Sequence, residues 1–265
     1  MPVFFLILAC ALWGVSFPLL KALQMEQVGR VPDAGSVFLS AWIQDAGSVF
    51  LSAWIQFARF GMGALLLLPF VIRGGPPTRL EWRQGVRLAL WGGAGMVLQA
   101  DGLAYTDAST SAFLTQGYCI VLPIIACIRL RRAPATKTIV ATLMVLAGGA
   151  VLSGFTLQNP RIGRGELQTL IAAVFFAFQI LTLENPTYRG NRSGRVTWVM
   201  CATIAVIFLP LAAITAPTPS AILDAGASWS ALALVFILAA FCSVGAYLLM
   251  NHWQPRVSAV EAGMI

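Results

Sequence analysis

Charged side chains are scarce in this sequence. They make up 10% of the 265 residues, whereas hydrophobic residues make up 58%. A soluble domain carries roughly 25% charged residues, so this chain has too few to cover a surface that faces water. The formal net charge is +7, but the basic residues lie in short clusters between apolar runs. This distribution argues against the basic face that binds nucleic acid, and it indicates a membrane protein.

The residues of metal and disulfide chemistry are also few. His252 is the only histidine, which leaves no room for an HExxH zinc motif. The five cysteines all lie inside apolar runs without a CxxC pair, so we interpret them as small buried hydrophobes. The sequence also has neither paired intramembrane carboxylates at helical spacing nor a nucleotide-binding loop. We therefore expect no enzyme activity, no metal site and no cofactor.

Long apolar runs are abundant. A transmembrane helix needs about 20 predominantly apolar residues. Eight runs approach that length, over residues 3–23, 49–72, 85–105, 108–130, 137–155, 165–184, 196–215 and 230–250. A ninth begins near Val257 and reaches Ile265, which is too short to cross a bilayer. The first run lacks a basic leader and a cleavage site, so it is expected to be retained. The sequence predicts an all-α, polytopic membrane protein with about nine transmembrane helices.

The basic residues predict the orientation of these helices. If the N-terminus is cytoplasmic, the inner loops hold twelve lysine and arginine residues and the outer loops hold four. Because cytoplasmic loops are enriched in lysine and arginine, this asymmetry favours a cytoplasmic N-terminus. Tryptophans stand at span ends, where indole rings prefer the membrane interface, at Trp82, Trp198, Trp229 and Trp253.

A segment of twelve residues occurs twice in tandem. Residues 33–44 (DAGSVFLSAWIQ) recur identically at 45–56. Twelve helical residues turn through about 1200°, which displaces the copied face by about 120°. One straight helix therefore cannot present both copies on the same side. We expect the second copy to open the second transmembrane helix and the first to lie in the outer loop or along the interface. A recent duplication without function is the simpler interpretation.

A second, weaker similarity suggests an internal repeat. Five spans precede the linker at 156–164 and four follow it. Residues 104–114 (AYTDASTSAFL) and 252–262 (HWQPRVSAVEA) both show an aromatic residue, a short polar turn and Ser-Ala before an apolar run. An odd number of helices per repeat inverts the second copy in the membrane, which is a recurring plan of secondary transporters.

Four stretches, taken in order, resemble a known family. They are WGVSFPLLK (13–21), ARFGMGALLLLPF (58–70), LQADGLAYTDASTSAFLTQ (98–116) and WQPRVSAVEAGMI (253–265). Together they resemble the drug/metabolite transporter superfamily in its bacterial EamA branch. The resemblance implies a bundle of ten helices in two inverted five-helix repeats. It also implies export of small metabolites or drugs across the bacterial inner membrane.

The resemblance divides the chain into two parts. Residues 1–156 would form the first repeat, with five transmembrane helices. Residues 163–265 would form an incomplete second repeat, with three full helices and the start of a fourth. The chain departs from the family in its duplicated segment and in stopping before the acidic-Pro motif and the tenth helix. We therefore predict an alternating-access exporter of a small-molecule substrate. The alternative is a truncated remnant without transport activity, or a partial subunit whose missing helix comes from a partner or a second copy in a homodimer.

Arg59 is the most informative polar residue inside a span. It lies ten residues after Val49 and thirteen before Ile72, close to the middle of the helix. A charged residue there costs at least a few kcal/mol unless it faces a cavity or a partner. Arg59 is therefore expected either to line the substrate path and attract an anion or carboxylate, or to bind backbone carbonyls and hold the bundle together.

Five more residues are candidates for the substrate path. Gln99, Gln116 and Gln179 lie inside spans, and their amides can serve polar, uncharged or zwitterionic solutes. Hydrogen bonding between helices is the alternative. Trp13 and Tyr118 could supply aromatic walls to a cavity, or they could pack between helices or face lipid.

Three residues are candidates for coupling or gating. Asp101 lies a turn inside its span and could carry a coupled proton, although an exposed carboxylate is the simpler interpretation. Glu261 would lie in the first turns of the last helix, where a carboxylate is favourable in any case. Pro123 falls in the middle of the fourth span, where a kink beside a cavity could move during alternating access.

Overall fold

A computed structural model describes residues 1–28, 40–131, 133–153 and 163–265 of the chain. Within these ranges the elements are helical and no strand occurs. The α-helices are α1 (Pro2–Val28), α2 (Ser40–Gly74), α3 (Arg79–Ala104), α4 (Ala108–Thr115), α5 (Tyr118–Leu130), α6 (Thr136–Ser153), α7 (Arg164–Leu183), α8 (Ser193–Thr215), α9 (Ala221–Asp224), α10 (Trp229–Ile237), α11 (Ala246–Trp253) and α12 (Ala259–Gly263). A π-helical segment, Leu238–Gly245, joins α10 to α11.

Six helical stretches of the described chain are long and apolar enough to cross a membrane. They are Pro2–Gln27, Val49–Gly74, Ala108–Arg129, Arg164–Leu183, Ser193–Thr215 and Trp229–Arg256. The protein is thus an all-α, polytopic membrane protein whose apolar outer side chains contact lipid. The predicted total of about nine spans is not confirmed. α3 has 26 residues, but its glycines and polar residues lower its hydropathy. The described apolar part of α6, Thr136–Val151, is shorter than a span.

The duplicated segment is only partly described. α2 begins at Ser40, five residues before the second copy, and continues through that copy as one helix to Gly74. The helix therefore opens earlier than expected, inside the first copy. The second copy is buried from Phe50 to Gln56. The position expected for the first copy in the outer loop falls on residues 33–39, which lie outside the described residues.

The predicted fourth span, 108–130, is broken into two helices. The break lies at Gln116 and Gly117, whose backbone N–H groups bond three residues back rather than four. A Cβ at Gly117 would lie 2.9 Å from the carbonyl oxygen of Leu114, so glycine permits this tight turn. The kink expected at Pro123 is therefore displaced by about two turns of helix. Pro123 itself lies inside α5. It has no N–H to donate to the carbonyl oxygen of Cys119, one turn earlier, and Thr142 Oγ1 on α6 lies 3.5 Å from that oxygen instead.

α3 and α7 approach each other closely because glycines face each other across the contact. A Cβ added at Gly102 would lie 2.8 Å from the carbonyl oxygen of Gly165, and one added at Gly165 would lie 2.6 Å from the carbonyl oxygen of Gly102. Small residues at helix contacts allow such approach in membranes. The α2–α8 pair forms the other large helix contact of the bundle.

The helix ends lie in two groups at opposite ends of the bundle. At one end, here called the outer end, Lys21 donates hydrogen bonds to the carbonyls of Leu103 and Thr106. At the other, the inner end, the rings of Phe5 and Trp253 stack with centroids 4.7 Å apart. The start of α1 and the end of α11 thus lie at one end of the bundle, and the ends of α1 and α3 lie at the other, as the up-and-down order of the predicted spans requires. Which end faces the cytoplasm remains a prediction.

Candidate functional site

A cavity of about 160 Å³ lies between α1, α2, α3, α4, α5, α7, α11 and α12. Most of its wall is apolar or aromatic. Its polar side chains are Ser16, Arg59, Gln99, Thr115, Gln116, Gln179 and Gln254. Since about 10–15 Å³ suffices for a single water molecule, the cavity has room for several waters or a small organic solute.

The structure brings the six residues predicted for the substrate path to this one cavity. Its lining includes Trp13, Arg59, Gln99, Gln116, Tyr118 and Gln179. They come from five different helices and from the turn between α4 and α5, so no local sequence pattern unites them. Their role in transport remains a prediction. The three coupling candidates, Asp101, Pro123 and Glu261, are not among the lining residues.

Arg59 is buried in the middle of the bundle, with 2% of its surface exposed. Its Nε donates to Ser243 Oγ at 2.5 Å, and Nη2 donates to the carbonyl oxygen of Cys242 at 3.1 Å. Both acceptors belong to the π-helical segment. π-Helical turns inside α-helices are rare and are frequently found at functional sites. The arginine therefore joins α2 to the segment between α10 and α11 through two neutral acceptors.

Two glutamines of the cavity, Gln99 and Gln179, are held by hydrogen bonds to neighbouring helices. Gln99 donates to Thr115 Oγ1 at 2.8 Å, and Gln179 lies 3.5 Å from the carbonyl oxygen of Leu88. Glycine at position 92 makes space for Gln179, because a Cβ there would lie 2.5 Å from its amide nitrogen. Both interpretations of these amides are therefore open: they join helices, and they also line the cavity.

Aromatic rings form part of the cavity wall. Trp13 meets Tyr247 edge to face, with ring centroids 5.1 Å apart. The indole Nε1 of Trp13 is buried and has no hydrogen-bond partner among the described residues. Indole N–H groups usually find a partner when buried, so this donor is an exception within the bundle.

Asp101 is buried at the outer end of the bundle. Its Oδ2 accepts hydrogen bonds from Arg164 at 2.9 Å and from Gln168 at 2.7 Å. The guanidinium of Arg164 also lies over the ring of Tyr105, 4.6 Å from its centroid. The exposed carboxylate that was the simpler expectation for Asp101 is therefore wrong, because α7 packs against the end of α3 and supplies its partners. Whether Asp101 takes part in coupling remains a prediction.

Glu261 is an exposed residue in the first turn of α12. It forms a capping box with Ser258, the residue before the helix. Hydrogen bonds from the backbone and hydroxyl of Ser258, with the charge of Lys137, lower the pKa of this carboxyl below its ordinary value. This is the arrangement expected of a carboxylate that stabilises a helix N-terminus.

A buried carboxylate also ties the helices together at the inner end. Glu81 caps α3 with Thr78, accepts from the backbone N–H of Arg192 at 3.3 Å, and lies 3.6 Å from the guanidinium of Arg195. Burial disfavours ionisation of Glu81, but these hydrogen bonds and the Arg195 charge outweigh it and hold its pKa below the ordinary 4.5. Glu81 therefore joins α3 to α8 as an ionised group.

Sequence reasoning did not single out several residues of the cavity. Tyr247, Gln254 and Phe176 line it, and Ser243 holds Arg59. Only Gln254 had a signal, since it is a polar residue beside a proline at the end of a long apolar run. In the described part of the chain no group of three or more histidine, cysteine, aspartate or glutamate side chains is placed to hold a metal ion.

Comparison with known proteins identifies the family. The model of the EamA-like transporter family matches residues 1–154, more than half of the chain. The chain belongs to this family. It is also similar to an uncharacterized transporter from Archaeoglobus fulgidus, at 25% identity over 207 residues. That match covers 78% of this chain and 62% of the archaeal protein, so this EamA family chain spans less than two thirds of its relative's length.

Proposed function

We propose that this EamA family protein is a membrane transporter that moves small organic molecules through the central cavity by alternating access. The observation that carries the proposal is the cavity itself, in which buried polar side chains from both halves of the chain converge inside an apolar bundle. Polar residues at membrane depth are costly, and they mark substrate pathways when they face a cavity. The proposed direction is export from the cytoplasm across a bacterial inner membrane, with the N-terminus inside.

The packing of the helices supports two inverted repeats, at residues 1–156 and 163–265. α7 packs against α3, and α1 packs in the same way against α10, α11 and the segment between them. α1 also contacts α4, as α7 contacts α12, and the central pair is α2 with α8. We let α1, α2, α3 and α4 of the first repeat correspond to α7, α8, α10–α11 and α12 of the second. Each contact then has a counterpart: α3–α7 corresponds to α1 with α10–α11, and α1–α4 corresponds to α7–α12. Such repeats rock against each other around a fixed site in many transporters.

Polar ties close both ends of the bundle, and we propose that they break in turn. At the outer end Asp101 joins α3 to α7 through Arg164 and Gln168. At the inner end Glu184 accepts from the backbone N–H of Ala259 at 3.2 Å and lies 3.5 Å from Arg129. In the proposed cycle the contacts of Asp101 break while those of Glu184 remain, which opens the outer end. The contacts of Glu184 then break while those of Asp101 re-form, which opens the inner end.

Two glycines offer a matched test of a water-filled pathway. Gly14 lines the cavity and Gly148 is an exposed residue of α6, and a Cβ at either position meets no atom within 4 Å. Gly14→Cys and Gly148→Cys should therefore both fold. We would treat intact cells and inverted membrane vesicles with a charged maleimide that cannot cross the bilayer, and read the labelled peptide by mass spectrometry.

The two variants should respond differently. The thiol at position 14 is expected to be labelled from both membrane faces, because alternating access exposes the cavity to each in turn. The thiol at position 148 should stay unlabelled until the membrane is dissolved, because lipid covers it. Labelling of Gly14→Cys from one face only, or from neither, would contradict the proposal and favour a protein that does not transport.

A further inference from the structure

The charge of Arg59 has no carboxylate to balance it within the described structure. Ion pairs there join Arg129 to Glu184, Arg164 to Asp101 and Arg195 to Glu81, all away from the cavity. The two hydrogen bonds of Arg59 go to a hydroxyl and a backbone carbonyl, which are neutral. A buried charge is normally paired, and an anionic ligand in the cavity would supply that partner.

The arginine also keeps hydrogen-bonding capacity in reserve. Of its guanidinium nitrogens, Nε and Nη2 donate to the π-helical segment, and no described residue accepts from Nη1. The segment thereby fixes one edge of the planar group and leaves the remainder for a ligand. A guanidinium held in this way suits a carboxylate, whose two oxygens accept in the plane of the donors.

The rest of the cavity sets the charge and the shape of the ligand. Arg59 is the sole ionised side chain among the lining residues, and no carboxylate is present there to receive an amine. Trp13 contributes its ring to the wall of the cavity. The remaining wall consists largely of apolar and aromatic side chains, including Phe17 and Phe176.

We propose that the cavity is a site for a monocarboxylate with a compact, apolar or aromatic body, and that the carboxylate pairs with Arg59. This assignment rests on the proposed transport function, since it names the class of molecule that the carrier would take. A cavity of about 160 Å³ has room for a small organic molecule such as a phenyl ring bearing a short acid.

Phenylacetate and phenylacetamide are matched probes for this assignment, because they share size and shape and differ in charge. Binding would be measured by equilibrium dialysis with the full chain in lipid nanodiscs. Phenylacetate should bind at least about tenfold more tightly than phenylacetamide, because charge-assisted hydrogen bonds are the stronger ones. Arg59→Gln should lower phenylacetate affinity by about 10- to 100-fold and leave the amide nearly unaffected.

Three further variants separate ligand binding from structure. Arg73→Gln removes an exposed arginine from the last turn of the same helix and should leave both affinities unchanged. Arg59→Lys keeps the charge and should retain part of the preference for the acid. Trp13→Phe keeps an aromatic wall and should leave the preference for the acid unchanged. Thermal unfolding of each variant would show that it is folded.

Each outcome decides a separate point. Equal binding of acid and amide, an unchanged ratio in Arg59→Gln, or no binding of either probe to the native chain would overturn the carboxylate assignment. If Gly14→Cys is then labelled from both faces, the transport proposal is still supported and only the carboxylate assignment is wrong. A third outcome is that the acid is preferred and Arg59→Gln removes the preference, but Gly14→Cys is labelled from one face only. This result would support anion binding at Arg59 and contradict the transport proposal.

Discussion

Replacing Gly102 by alanine tests the close contact between α3 and α7. The added Cβ would lie 2.8 Å from the carbonyl oxygen of Gly165. A carbon and a carbonyl oxygen in favourable contact are about 3.3–3.6 Å apart, so the two helices must separate by roughly 0.5 Å. That movement also stretches the hydrogen bonds that Arg164 and Gln168 donate to Asp101 from the same helix.

The expected cost follows from overpacking. Inserting a methyl group into a well-packed contact costs about 1–3 kcal/mol. Alanine in place of glycine also stabilises a helix by roughly 0.5–1 kcal/mol, which partly offsets that cost. Gly148→Ala serves as the control, because its added Cβ meets no atom within 4 Å and only the helix benefit remains. The difference between the two variants isolates the clash, at about 1–3 kcal/mol.

The assay is thermal unfolding of the purified proteins in one detergent at one heating rate. At roughly 2–4 °C per kcal/mol, Gly102→Ala should melt several degrees below Gly148→Ala. Gly102→Ala combined with Gly165→Ala should cost less than the sum of the single changes, because helices that have already separated accept the second methyl group. Equal melting temperatures for Gly102→Ala and Gly148→Ala would refute the close approach.

Three other variants test separate features of the bundle. Gly92→Ala would place a Cβ 2.5 Å from Nε2 of Gln179 and so push that amide aside. Because the amide is the end of a flexible side chain, the melting temperature should stay nearly unchanged while transport falls. Thr197→Val should lower stability by about 1 kcal/mol, since it leaves the buried Asn251 amide without its 2.9 Å acceptor; unfolding that matches the native chain would contradict this. Because the pKa of Glu81 is lowered on folding, its stabilisation is complete above about pH 4.5 and is lost as the pH falls through the folded value. Glu81→Gln should therefore show a smaller acid-induced drop in melting temperature between pH 7 and 3, and an equal drop would exclude this role.

Several features of the fold could be predicted because they depend on local composition. Apolar runs between basic clusters marked the six helices that are long and apolar enough to cross a membrane, since lipid demands about 20 apolar residues whatever the neighbours are. Six of the residues that line the cavity were also found from sequence. A glutamine or arginine such as Arg59 at membrane depth is costly, so it must face something polar.

Other features could not be predicted, because they depend on which helix faces meet. Lipid is as apolar as a protein core, so a membrane helix carries little periodicity to show its buried side. Nothing near Asp101 in the sequence announces Arg164, which is 63 residues away. The helix break at Gln116 and Gly117, rather than at Pro123, likewise depends on backbone contacts that a proline rule does not describe.

The sequence by itself determined that this protein lies in a membrane, that it is helical, and that it resembles the EamA transporters. These follow from the transfer of side chains into lipid and from the order of short motifs. The tertiary structure alone decided that Arg59 meets Ser243 across 184 residues of chain, and that Trp13 keeps an unpartnered donor within the described part of the bundle. The physical reason is that a hydrogen bond forms only when donor and acceptor atoms lie about 3 Å apart. Between residues so far apart in sequence, only the packing of the helices sets that separation.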